Sequence, residues 1–163
     1  PVEVHYNTID TNIFKPTPSD FRERYGLQDK IIVLGVANVW DERKGLDDFY
    51  KLAQMLDERY AIVLVGLSKE QMKALPKNIC GIQRTNSPQE LAAIYTAADV
   101  FFNPTYEDNY PTVSLEAQAC GTHVVCYDVG GCKETLKRSD SKVIRVGDID
   151  NMLRIITDKE VDV

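Results

Sequence analysis

Two carboxylates eight residues apart, Asp108 and Glu116, lie within and just after PTYEDNYPT at 104–112, one of the two most unusual loops of this 163-residue chain. Pro111 suits the first position of a helix, and Asn109 could cap it. The first backbone N–H groups of such a helix lack internal partners, and the helix dipole adds positive potential. That combination is ready for a phosphate, and Thr112 could add a hydroxyl. Glu116 would lie one turn inside. A carboxylate there is a poor phosphate ligand but a good bidentate acceptor for two vicinal hydroxyls, such as those of a ribose. Asp108, just outside the helix, could reach a sugar on the far side of the phosphates.

A second loop, NVWDERKG at 38–45, supplies cations. Arg43 and Lys44 precede Gly45, which lets the backbone turn tightly. They could neutralise a diphosphate from the opposite wall. Each residue also has a plainer reading. Arg43 and Lys44 could be a solvated pair balancing Asp41 and Glu42. Glu116 could be an ordinary helix-surface carboxylate, and residues 109–111 only a turn. What favours the chemical reading is that all of them fall at one predicted place in the fold.

That place follows from the elements. Apolar runs at 31–37 (IIVLGVA), 61–66 (AIVLVG), 78–83, 99–103, 123–127 (HVVCY) and 142–146 read as six strands. Between them, helices are expected at 46–59, 68–75, 87–98 and 111–120, with others at 19–26 and 151–158. Ser68 and Ser87 are candidate caps, and Glu90 three residues after Ser87 is close to a capping box. Several strands are apolar almost without interruption, as strands buried on both faces are. The expected fold is α/β: a doubly wound, Rossmann-like, mostly parallel six-stranded sheet with helices on both faces. In the common order 3-2-1-4-5-6, the ligand lies at the switch point between strands 1 and 4. The two loops above leave those strands.

Composition excludes several classes. Lys plus Arg is 19 and Asp plus Glu is 25, for a net charge of −6. An acidic chain without a basic run is a poor partner for nucleic acid. No apolar stretch approaches a membrane span, and no signal peptide is read from Pro1 onward. The four cysteines, Cys80, Cys120, Cys126 and Cys132, form no CxxC pair. With His5 and His123 they make no zinc-like cluster, so no metal site is expected. The first strand ends in Ala37-Asn38 rather than an acidic pair, unlike a receiver-type regulatory domain. No GxGxxG follows it, unlike a Rossmann dehydrogenase.

The stretch 103–131, NPTYEDNYPTVSLEAQACGTHVVCYDVGG, resembles the acidic motif and following segment of the GT-B fold glycosyltransferases of family 4. Supporting pieces are Lys44-Gly45, the run LAAIYTAADVFFNPT, and YNTIDTNIFKP at the start, which looks like an interdomain segment. The resemblance covers essentially the whole chain and points to the family's C-terminal domain. It implies residues 1–18 as a connector and 19–163 as a donor-binding domain, with an N-terminal acceptor-binding domain absent and the fragment inactive alone.

The resemblance implies roles. Glu116 would hold the ribose hydroxyls. Asp108 would lie near the donor sugar and its anomeric centre, with the longer Glu107 beside it. Lys44 would meet the diphosphate. Asn109, Tyr110 and Pro111 replace a glycine-rich stretch, and the backbone from Tyr110 through Thr112 to Val113 would meet sugar and phosphates. The family's usual arginine lies five residues before the lysine, where this chain has Val39; Arg43 would take its role from a different place in the loop. The backbone from Arg84 to Ser87 would hold the base. Gly130-Gly131 and Glu134 would shape the domain rather than act chemically.

The implied activity is a retaining, hexosyltransferase-type glycosyltransferase. It would use a nucleoside-diphosphate sugar, no metal and no other cofactor, and a glycan or lipid-linked acceptor in polysaccharide biosynthesis. The implied setting is cytoplasmic, or peripheral at the inner membrane through the missing domain. The alternative is a non-catalytic doubly wound module that binds a nucleotide or a protein partner.

Overall fold

The structure, a computed structural model, describes residues 9–108 and 110–161. Its strands are β1 (Ile31–Val36), β2 (Tyr60–Val65), β3 (Ile79–Ile82), β4 (Val100–Asn103), β5 (Val124–Tyr127) and β6 (Lys142–Ile144). Every pairing is parallel, and the order is β3-β2-β1-β4-β5-β6. The expected order is therefore the observed one, and the sheet is parallel throughout. The reversal of strand order falls between β1 and β4.

The helices are α1 (Phe21–Arg24), α2 (Leu46–Met55), α3 (Lys69–Lys73), α4 (Pro88–Ala97), α5 (Thr112–Ala119) and α6 (Ile149–Val161). Two apolar layers sandwich the sheet. On one face Leu46, Phe49, Leu52, Ile149 and Met152 pack on Val33, Ile62, Leu64 and Phe102, with α3 contributing Met72. On the other, Phe21, Ala92, Tyr95, Ala117 and Cys120 pack on Ile32, Leu34, Val63 and Phe101. Burial on both faces explains why β1 and β2 lack polar alternation.

Local chemistry sets the element ends. Ser68 accepts from the Gln71 amide while the Gln71 side chain accepts from Ser68, a complete capping box. Ser87 accepts from Glu90, but the Glu90 carboxylate reaches back one residue further, to the Asn86 amide. The helix expected over 46–59 stops at Met55. Leu56 turns extended, and Asp57 folds back to hold the Arg59 amide and guanidinium. The last helix starts earlier than expected, because the Asp148 carboxylate accepts from the Asn151 amide. Two 3-10 turns, Glu42–Lys44 and Lys133–Thr135, have no sequence counterpart in the expected elements.

Part of the expected connector packs on the domain. Phe14 is buried, and the Thr17 amide donates to the Thr96 hydroxyl at 2.9 Å. Residues 1–8 of that expectation lie outside the described residues.

Candidate functional site

The loop after β1 is shaped by two side chains. Trp40 is buried, and its indole N–H donates to the Val65 carbonyl at 2.9 Å. Asp41 accepts from the Lys44 amide at 3.2 Å and opens the 3-10 turn. Gly45 then sits at φ 82°, where a Cβ would collide with the Pro104 carbonyl oxygen. Only glycine allows this approach of the loops after β1 and β4.

The two loops are also stitched directly. The Arg43 carbonyl accepts from the Tyr106 amide at 2.7 Å and the Thr105 hydroxyl at 3.2 Å. At the end of β4, the Asn103 amide side chain donates to Ser114 in α5 at 3.2 Å. Strand end, loop and helix are thus one unit.

Across the gap, Lys44 Nζ pairs with Asp108 Oδ2 at 3.2 Å. A cavity of about 400 Å³ opens here, lined by Arg43, Lys44, Asp108, Tyr110, Pro111, Thr112 and Val113. α5 begins at its rim. Pro111 is the residue before the helix rather than its first position, and among the described residues no side-chain cap bond is made there. The N-terminal amides of α5 therefore keep their anion-binding capacity toward the cavity side. The expected cap Asn109 lies outside the described residues.

The structure separates the two cations. The Arg43 side chain is 65% exposed and pairs with Asp41 at 3.3 Å, at the cavity lining. Lys44 instead turns to Asp108. The cause is the 3-10 turn, which places consecutive side chains on different sides.

Glu116 is not on the cavity wall. It lies one turn into α5 on the side facing α4, where its carboxylate accepts from the Tyr95 hydroxyl at 2.8 Å. Burial raises the Glu116 carboxyl above its ordinary 4.5, and the Tyr95 hydrogen bond opposes that rise. Glu107 is exposed and lies off the cavity wall; its backbone carbonyl accepts from the Thr105 hydroxyl and its backbone amide donates to the same oxygen. Arg84 lines a second hollow that shares the Asn38–Trp40 wall with the first.

Sequence reasoning did not place Gly130's contact with the site and missed Asp48. Gly130 sits at φ 50° with its Cα against the Asp108 carbonyl, where any Cβ would collide. The glycine pair signalled it, but not its contact. Asp48 is only 2% exposed in α2 and accepts from the Tyr106 and Tyr127 hydroxyls. The available signal was a carboxylate on the apolar stripe of that helix, beside exposed Asp47. Among the described residues, no three His, Cys, Asp or Glu side chains converge as metal ligands. None of their helices is long and apolar enough to cross a membrane.

Fold and site define a doubly wound, Rossmann-like domain with a lysine, a carboxylate and a helix N-terminus at its switch point. The sequence profile described as "Glycosyl transferases group 1" matches residues 29–158, and the chain belongs to that family. Alpha-galactosylglucosyldiacylglycerol synthase of Streptococcus pneumoniae is 31% identical over 141 residues, covering 76% of this chain and 37% of that protein. N,N'-diacetylbacillosaminyl-diphospho-undecaprenol alpha-1,3-N-acetylgalactosaminyltransferase of Campylobacter jejuni is 29% identical over 123 residues, covering 73% and 32%. The chain thus spans about a third of the length of the curated relatives it matches.

Among solved structures, Anabaena HepE in complex with UDP-glucose superposes with a TM-score of 0.84 at 20% identity, covering 98% of this chain and 48% of that one. The C-terminal domain of the group 1 family protein LpcC from Francisella tularensis gives 0.73 at 16% identity, covering 96% and 89%. These likenesses bear on the fold.

Proposed function

We propose that this chain is the donor-binding half of a retaining glycosyltransferase that takes a nucleoside-diphosphate sugar. The observation that carries the reading is the Lys44–Asp108 pair facing the N-terminus of α5 across the cavity. A diphosphate seated there meets one ammonium and the first amides of a helix, the two features that best stabilise phosphate charge. Membership of the glycosyltransferase family and the UDP-glucose held by the similar fold of HepE support it.

In this reading Glu116 accepts the two ribose hydroxyls, and the Arg84 hollow takes the base. The backbone from Tyr110 to Val113 meets the phosphates and the sugar. Asp108 faces the sugar near its anomeric carbon; Glu107 reaches it only if the loop turns inward. During transfer the bond from anomeric carbon to phosphate oxygen breaks. The acceptor hydroxyl attacks from the same face, and its proton passes to the departing phosphate oxygen. Negative charge grows on the diphosphate as that bond breaks, so Lys44 and the helix N-terminus stabilise the transition state more than the ground state. No metal or further cofactor takes part.

The acceptor, a glycan or lipid-linked sugar, is held by a second domain joined through the segment 1–18. Residues 19–163 alone then bind the donor without efficient transfer. The reaction is placed on the cytoplasmic side, with any membrane contact made by that second domain.

The test is calorimetry and ligand-observed NMR against UDP-, GDP- and ADP-sugars. One of them binds in the micromolar-to-millimolar range, and Glu116→Ala and Lys44→Ala each weaken it. The proposal fails if none binds, or if both variants bind like the parent. Binding of a nucleotide with no preference for its sugar-bearing form would favour a non-catalytic nucleotide module instead.

A further inference from the structure

The Asp48 carboxylate has no part in the chemistry just described, yet it sits among unusual company. It is buried in the first turn of α2, on the apolar stripe formed by Leu46, Phe49 and Leu52. A buried carboxylate is expensive unless donors surround it. Here the Tyr127 hydroxyl donates at 2.6 Å, the Tyr106 hydroxyl donates to the same oxygen, and Lys51 Nζ lies 3.8 Å from the other. Burial and this carboxylate together push the Tyr106 hydroxyl up to about 12, so it stays a donor across the working pH range.

The two tyrosines differ in what they tie down. Tyr127 ends β5 and is fully buried, a fixed part of the core. Tyr106 belongs to the loop after β4, two residues before Asp108, and the residue is 41% exposed. The rings meet edge to face at 5.4 Å. The Tyr106 hydroxyl also lies over Gly147, in the loop after β6. One exposed loop residue is thereby clasped to α2, β5 and the β6–α6 loop. Its backbone amide is clasped to Arg43, next to Lys44.

We infer that Asp48 is a positioning residue: through Tyr106 it fixes the loop that sets Asp108 opposite Lys44. It touches neither phosphate nor sugar in the proposed geometry. It holds the sugar-facing carboxylate in register with the phosphate-facing ammonium. The inference rests on the proposed donor site and adds to it what keeps the site's two halves aligned.

Two isosteric variants separate positioning from mere stabilisation. Tyr106→Phe and Tyr127→Phe each remove one hydroxyl from the same carboxylate oxygen, and the buried Tyr127 should cost at least as much melting temperature as the exposed Tyr106. Only Tyr106→Phe frees the loop. The readout is the ratio of two dissociation constants, for the nucleoside diphosphate and for the same nucleotide carrying its sugar.

Tyr106→Phe should lower the preference for the sugar-bearing form by about tenfold, the scale of one lost hydrogen bond to a charge. Tyr127→Phe should leave that ratio within about twofold. Asp48→Asn, which keeps an acceptor oxygen for the hydroxyls but loses the charge, should fall between them. Equal ratios in the two tyrosine variants, or a ratio unchanged from the parent in Tyr106→Phe, would overturn the inference. If the parent chain binds neither ligand, it is the donor-site proposal itself that has failed.

Discussion

Replacing Lys44 by methionine removes the ammonium and keeps most of the stem. In the free protein Lys44 lies 3.2 Å from Asp108, with the two side chains 34% and 21% exposed. A unit-charge pair at ~4 Å and an effective dielectric near 20 interacts by about 4 kcal/mol. Partial exposure and the retained attraction to Asp108 reduce what reaches a bound diphosphate to about 2 kcal/mol, the low end for a half-buried charge contact. That is about thirtyfold in Kd. The loss to folding is smaller, about 1 kcal/mol for a partly exposed pair, or about 2–4 °C in Tm for a chain of this size. Calorimetry with the preferred sugar nucleotide at two ionic strengths measures both the affinity and its origin. The parent's affinity should fall with salt, and that of Lys44→Met should fall less. An affinity within twofold of the parent, with an unchanged salt dependence, would refute the assignment of Lys44 to the diphosphate.

In the proposed site the ribose hydroxyls would bind the ionised form of Glu116, whose carboxyl burial holds above 4.5. Nucleotide affinity should therefore be full above that raised value and fall as pH drops through it. Tyr95→Phe, which removes the opposing hydrogen bond, should move the fall to higher pH, and Glu116→Gln should abolish it. The sign for folding is opposite: a raised carboxyl pKa favours the native state at low pH, and that contribution is lost as pH rises from the unfolded to the folded value. Gly130→Ala forces a Cβ into the Asp108 carbonyl at positive φ. It should lower stability by about 2 kcal/mol and weaken sugar-nucleotide binding, read by thermal melts and titration. Burial raises the thiols of Cys120 and Cys132 to about 11 and that of Cys126 to about 12. A maleimide at neutral pH should label these three only on unfolding, as mass spectrometry would show.

The sheet was legible because strands buried on both faces announce themselves by continuous apolarity, and strand order then fixes one switch point. Both loops at that point could be named from residue types, and the structure brings Lys44 and Asp108 together there. What stayed hidden depends on contacts distant in sequence or set by a turn. Arg43 pairs with Asp41 at the cavity's exposed side while Lys44 turns to Asp108, a split made by a 3-10 turn that no periodicity reveals. Gly130 abuts Asp108 through a loop-to-loop approach. The Asp48–Tyr106–Tyr127 cluster joins three separate elements, and only the misplaced polarity of Asp48 hinted at it. Pro111 precedes α5 rather than opening it, a shift of one residue that leaves the anion-facing amides in place.

The central claim is a location: the diphosphate sits between Lys44 and the first turn of α5. Backbone amide shifts recorded while titrating a nucleoside-diphosphate sugar test it directly. The account predicts the largest changes at Lys44, Thr112 and Val113, with the hollow at Leu27, Asn78 and Cys80, at the opposite end of the strands, undisturbed. Saturable shifts centred on that opposite hollow, with Lys44 and Thr112 unmoved, would contradict it.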